Sequence, residues 1–202
     1  MCINLQTSIL AFGLGELSGL YLVTRDSIEK KLIGLFVMFY SLVQLFEAFI
    51  YNSGESANEI YSRLLLLNLG FQGIVFFLLM SQCFIINNFY LIITGIISIG
   101  ILFYSLSSSF EKAELNNGCL TWNFLDNNNI SIPLYIMYAI ILYWIITDKQ
   151  SIYPNTDTDF IRNVGVILFV TAVLTNQIRF NCNKPGMWCL SSSISAPLFT
   201  LL

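Results

Sequence analysis

Apolar residues run along this chain in long unbroken blocks rather than alternating with polar ones. Seven blocks stand out, at residues 4–23, 31–51, 64–83, 89–106, 131–147, 160–178 and 186–202. A helix needs about 20 apolar residues to cross a hydrocarbon core some 30 Å thick. The fifth and seventh blocks, at 17 residues each, sit at the lower limit, and the seventh also fits a re-entrant or interfacial segment. Lipid offers no hydrogen-bonding partner, so a spanning segment must satisfy its own backbone, as a helix does. A β-barrel would show short segments of alternating polarity instead. The first block has no basic residue ahead of it, contains Glu16 and is too long for a signal peptide's apolar region. The pattern therefore predicts an all-α fold: a polytopic transmembrane bundle of about seven helices, a single integral membrane domain over residues 1–202.

The connections are short except at 107–130, a Ser- and Asn-rich polar stretch and the one loop large enough to fold over the bundle. The links 52–63 and 148–159 are shorter, and no long-period repeat is visible. The first loop, TRDSIEKK, carries Arg25, Lys30 and Lys31 beside two helix ends. The positive-inside rule places that loop in the cytoplasm, and the N-terminus and loop 107–130 on the non-cytoplasmic side. Summed over all loops this bias nearly vanishes, because Arg179 and Lys184 then fall outside.

Composition supports lipid as the solvent. Hydrophobic residues make up 56% of the 202 and charged residues 10%, against about 25% charged in an ordinary soluble domain. Too few charges remain to coat a water-facing surface. The nine basic residues are scattered and form no run that could track a phosphate backbone, which argues against a nucleic-acid partner. Histidine is absent from the sequence, removing the commonest metal ligand and the side chain that titrates near neutrality. No cofactor or metal is expected.

Polar residues inside the apolar blocks are the candidate functional positions. Glu16 falls near the middle of the first block and Glu47 in the second half of the second. A mid-bilayer charge is costly and usually faces the bundle interior, often on an ion or proton path. A neutral, hydrogen-bonding carboxyl fits the same places. Tyr40, Gln44, Glu47 and Tyr51 recur at helical spacing on one face. Asn68 and Gln72 share a face in the third block, Thr94 and Ser98 in the fourth, and Thr171 and Thr175 in the sixth, with Asn176 and Arg179 close by. These residues outline a polar seam. One reading is a hydrated pathway through Glu16, Gln44, Glu47, Asn68, Gln72, Asn176 and Arg179. The other is interhelical hydrogen bonding, which contributes about 0.6 kcal/mol per contact. Both glutamates are expected to point inward.

Ala11, Gly15 and Gly19 repeat every four residues in the first block, a small-residue ridge that admits a neighbouring helix closely. Cys119 and Cys182 fall in two loops on the same side and form a candidate disulfide, which would need an oxidising compartment; unpaired thiols are the alternative. The cysteine spacings show no zinc pattern. Residues 181–193, NCNKPGMWCLSSS, bring Cys189 and three serines onto a short span, yet with no base at hand they do not compose a nucleophilic site. Asn129-Ile-Ser131 matches a glycosylation acceptor but abuts the fifth block.

Four strings, FYSLVQLFEAFIY (39–51), NLGFQG (68–73), CLTW (119–122) and GMWCL (186–190), occur in an order that resembles an uncharacterised family of small multi-pass membrane proteins of giant viruses and protists. The resemblance implies a viral or host membrane as the setting. The family pattern has His where this chain has Asn68, Pro where it has Gly73, and His at about Cys119. Any metal or proton role of those histidines does not carry over.

Two functional readings follow. The first is a channel or small-solute or ion transporter using the seam. The second is a non-catalytic structural or accessory protein of a virion or a larger membrane complex, with the bilayer, further copies of itself or other membrane proteins as partners. Phosphate-binding loops, dinucleotide glycines and paired catalytic carboxylates on loops are missing, so an enzyme is not expected.

Overall fold

The computed structural model describes residues 4–116, 119–126, 128–147, 150–177 and 195–202, with the backbone alone at 116, 119, 126, 128 and 172–177. Within them the chain forms α1 (Leu5–Val23), α2 (Ile28–Asn52), α3 (Glu55–Met80) and α4 (Asn88–Leu106). A small antiparallel hairpin follows, β1 (Glu114–Asn116) with β2 (Cys119–Thr121), and then a single turn, α5 (Asn123–Asp126). α6 (Asn128–Thr147) and α7 (Thr158–Gln177) come next, and 195–199 form a last helical turn. Consecutive long helices pack antiparallel. One end of the bundle therefore carries the hairpin, and the opposite end carries the α1–α2, α3–α4 and α6–α7 links.

The fold is mostly helical, and four helices, α2, α3, α4 and α6, are long and apolar enough to cross a membrane. α1 and α7 are 19 and 20 residues long but are diluted by Gln6 and Glu16, and by Asp159, Arg162 and Asn163. α4 shows what solvent the bundle is built for. Phe89, Ile92, Ile96, Ile99, Phe103 and Leu106 line one face and are each more than half exposed. A soluble monomer rarely carries a contiguous apolar patch of that extent; it matches a hydrocarbon surround. The expected seventh span, 186–202, lies largely outside the described residues.

Local sequence sets where the helices start. Asn4 accepts from the Thr7 N–H at 2.9 Å while the Thr7 hydroxyl accepts from the Asn4 N–H at 3.2 Å, a reciprocal cap. Ser27 caps α2, Asn87 caps α4 and Asp157 caps α7, each giving a side-chain oxygen to an orphan N–H of the first turn.

The link expected at 52–63 is instead mostly helix, since α3 begins at Glu55 and Ser53–Gly54 alone separate it from α2. Hydropathy detects the lipid boundary and not the helix boundary. ESANEIYSR contains neither Gly nor Pro, and its Glu59–Arg63 pair at 2.7 Å supports the exposed turn. This polar extension anchors the loop that follows α4. Asn58 donates to the Ala113 carbonyl at 2.9 Å, and the Ser62 hydroxyl accepts from the Ala113 N–H at 3.0 Å. The Arg63 guanidinium lies 4.5 Å from the Phe110 ring centroid, and Phe110, Phe124 and Trp122 continue the stack. The polar stretch after α4 is thus folded onto the bundle rather than free of it.

Close approach of backbones fixes the first hairpin of helices. The small ridge of α1 faces α2, where Gly34 sits opposite Gly19. A Cβ on Gly34 would lie 2.6 Å from the Gly19 carbonyl oxygen and 2.9 Å from the Leu22 Cβ. A Cβ on Gly15 would lie 2.5 Å from that of Ser41. The same device recurs on α3, where Gly70 receives Ile101 of α4 and Gly73 receives Met137 of α6. The deepest packing is aromatic: Trp144 of α6 meets Phe76, Phe77 and Phe84 edge-on, with centroids 5.5–5.7 Å apart.

Gly34→Ala should destabilise the bundle by about 1–3 kcal/mol, because the clash is with backbone that cannot yield without separating the helices. Gly100→Ala, where nothing lies within 4 Å, should be neutral or slightly stabilising. Thermal unfolding of both variants in the same detergent checks the contrast.

Candidate functional site

The seam residues divide into two groups. At the centre of the bundle, α2 presents Gln44 and Glu47, α3 presents Asn68 and Gln72, and α6 adds Tyr138. Gln44, Glu47, Asn68 and Gln72 are all buried, Glu47 and Gln72 completely. The hydrogen bonds run in one direction. The Tyr138 hydroxyl donates to Gln72 Oε1 at 2.5 Å, Gln72 Nε2 donates to Asn68 Oδ1 at 3.0 Å, and Asn68 Nδ2 donates to the Phe39 carbonyl at 3.0 Å. Two of these bonds cross between helices, α6 to α3 and α3 to α2, and the third runs along α3 between them. Gln44 and Glu47 are also engaged by neighbours, and Glu47 lies within electrostatic reach of Tyr51.

Glu16 does not join this cluster. It lies between α1 and α2, half-buried, and accepts from the Ser41 hydroxyl at 2.6 Å. Glu47 is completely buried and Glu16 half-buried, and the two lie in separate places. Ser98 donates across to the Gly70 carbonyl at 2.6 Å, tying α4 to α3. Thr94 and Thr171 return their hydroxyls to carbonyls of their own helices. The side chain of Asn176, and Arg179, fall outside the described residues, as do the Cys119 side chain and Cys182, and with them the candidate disulfide.

Among the described residues, the cavity beside the cluster is lined mainly by apolar side chains. It has a volume of about 130 Å³ and lies among α2, α3, α6, α7 and the 195–199 turn, with Phe36, Tyr40, Phe76, Tyr138 and Phe199 in its wall and neither glutamate among its lining residues. Tyr138 also lines a void of about 30 Å³ beside Ser131, room for a water molecule but not for a column of them.

The chemistry of the donor chain limits what it can do. Its two middle members are carboxamides, which neither gain nor lose protons near neutral pH, and it ends on a backbone carbonyl. A proton cannot be relayed along it. What it does well is hold α2, α3 and α6 in one register, since each donor leaves its place only by going unsatisfied. Tyr138, in the central chain, and Ser41, the partner of Glu16, are the two residues that pattern reasoning missed. Each sits beside apolar residues in its own helix and becomes part of the network only through a residue far away in sequence.

A second buried carboxylate lies at the end of the bundle that carries the α1–α2 link. Glu29, in the first turn of α2, is 3% exposed. It takes the Ser27 hydroxyl on one oxygen and the Asp157 N–H at 3.1 Å on the other. The α3–α4 and α6–α7 links are stitched together beside it, with Ile152 N–H donating to the Cys83 carbonyl at 3.0 Å and Ile85 N–H to the Gln150 carbonyl at 3.0 Å. Burial, helped by the Glu29 charge, pushes the Cys83 thiol up to about 12. Among the described residues no group of three His, Cys, Asp or Glu side chains could hold a metal ion.

Comparison with family models, with curated proteins and with solved structures returns no match for this chain.

Two outcomes follow from this geometry. Tyr138→Phe strands the Gln72 carbonyl and should cost about 1–3 kcal/mol of stability, while Tyr135→Phe, on an exposed position of the same helix, should cost nothing measurable; thermal unfolding in detergent compares them. Cys83 should resist iodoacetamide at pH 8 in the folded protein and react once the protein is unfolded, as read by mass spectrometry of its peptide. Because its folded value is raised, the stability this protonation contributes is present below the ordinary thiol range and is lost as pH climbs toward about 12.

Proposed function

We propose that this chain is a non-catalytic structural or accessory protein of a membrane, in which the intramembrane polar cluster locks helices together rather than conducting. The observation that supports this reading is the donor chain from Tyr138 through Gln72 and Asn68 to the Phe39 carbonyl, two of its members being carboxamides, which do not relay protons near neutral pH. A structural role within a membrane assembly also suits α4, whose outward face is open to neighbouring membrane proteins, a second copy or lipid.

Transport is the second reading, and Glu47 favours it. A completely buried carboxylate is costly in hydrocarbon and is often kept where ions or protons cross. Reconstitution into liposomes separates the two. The structural reading expects proton, cation and small-solute fluxes equal to those of protein-free vesicles, unchanged by Glu47→Gln. A flux carried by the protein and lost in Glu47→Gln would overturn it in favour of transport.

A further inference from the structure

At the end of the bundle away from the hairpin, the α1–α2 loop and the last residues of the chain enclose an open notch of about 450 Å³, within the size range of small-ligand sites. Its wall carries charges of both signs: Arg25 and Lys30, and Asp26 and Asp157. Among the described residues these four do not pair with one another; the ion pairs present are Glu59–Arg63 and Asp159–Arg162, elsewhere. Arg25 stacks on Tyr21, with its guanidinium 4.0 Å from the ring centroid. Lys30 donates to the Leu202 carbonyl oxygen at 3.0 Å, which still leaves ammonium protons for a second acceptor. Asp157 uses one oxygen to cap α7 and keeps the other, and Asp26 is exposed.

The notch lies at the ends of α1 and α2, the level at which headgroups meet a spanning bundle. Directly along α1 from Tyr21, one turn deeper, stands Leu17, and Leu10 continues the same face; both are more than 60% exposed. A charged recess of mixed sign therefore opens onto an apolar stripe running toward the middle of the bundle.

We propose that this notch binds the headgroup of a zwitterionic phospholipid, phosphatidylethanolamine in particular, with an acyl chain along Leu17 and Leu10. The phosphate meets the Arg25 guanidinium, whose N–H groups suit paired phosphate oxygens, and the Lys30 ammonium. The lipid's primary ammonium donates to Asp26 and Asp157. Two carboxylates in the wall disfavour an anionic headgroup. Choline is disfavoured for a different reason. A quaternary ammonium has no N–H to donate and is held by aromatic faces, and the face of Tyr21 is already covered by Arg25.

The test is competitive retention. The full chain is reconstituted in vesicles of equal parts phosphatidylethanolamine, phosphatidylcholine and phosphatidylglycerol with matched acyl chains, re-extracted in mild detergent, and its bound lipid quantified by mass spectrometry. Two exposed ion pairs are each weak, so bound phosphatidylethanolamine should exceed bound phosphatidylcholine or phosphatidylglycerol by about fivefold. Arg25→Gln should abolish retention, Arg25→Lys should restore part of it, and Asp26→Asn should shift preference toward phosphatidylglycerol. Both positions are exposed, so the fold should survive, and size-exclusion profiles check this. Bound lipid in vesicle proportions, phosphatidylcholine retained equally well, or enrichment that persists in both Arg25→Gln and Asp26→Asn would each overturn the assignment.

Discussion

Polar atoms inside this bundle find partners mostly within the protein, because the apolar surround that its outer faces suit offers none; the buried Tyr104 hydroxyl and the indole N–H groups of Trp122 and Trp144 are the exceptions among the described residues. That constraint organises most of what the interior shows. The Tyr138–Gln72–Asn68 chain, the Ser41–Glu16 bond and the Ser98–Gly70 carbonyl bond each join different helices, while Thr94 and Thr171 satisfy themselves locally. In water such bonds would add little, since solvent would replace them. Between apolar helix faces each such bond contributes modestly, about 0.6 kcal/mol on average, and helix pairing is specified by several of them acting together.

Polar specification works only if the backbones come close enough, and glycine provides this. Gly19 facing Gly34 brings α1 and α2 together, and Gly70 and Gly73 open seats for Ile101 and Met137. Apolar matching cannot distinguish one helix neighbour from another when lipid chains are as apolar as leucine. Shape and hydrogen bonding are what remain, and in α3 the two are interleaved: Asn68, Gly70, Gln72 and Gly73 lie within six consecutive residues and are all buried.

The two ends of the bundle use different means. At the hairpin end, the polar start of α3 reaches beyond the apolar block to hold Ala113 and the Phe110 stack. At the opposite end, a buried carboxylate, Glu29, gathers its own cap residue and the α6–α7 link. Each end converts a chain connection into part of the packed structure, so the loops are restrained by the protein itself.

Block length and helical spacing determined a good deal without any structure. The apolar runs specified helices, four of which, among the described residues, are long and apolar enough to cross a membrane, because lipid selects on composition over some twenty consecutive residues. Spacing of three and four placed Gln44 with Glu47 and Asn68 with Gln72 on shared faces, and set the Ala11–Gly15–Gly19 ridge; these are local regularities that any helix obeys. Tertiary structure alone decided which face met which. Tyr138 becoming the donor to Gln72, Ser41 rather than a seam residue receiving Glu16, and Glu29 going inside while Arg25 stays out all depend on residues 2 to 128 positions apart. It also decided that α3 starts at Glu55, since a helix can run on past the lipid boundary and hydropathy marks only that boundary. Periodicity is a property of one helix, whereas a partner is a property of two, and nothing in the spacing along one helix encodes the identity of its neighbour.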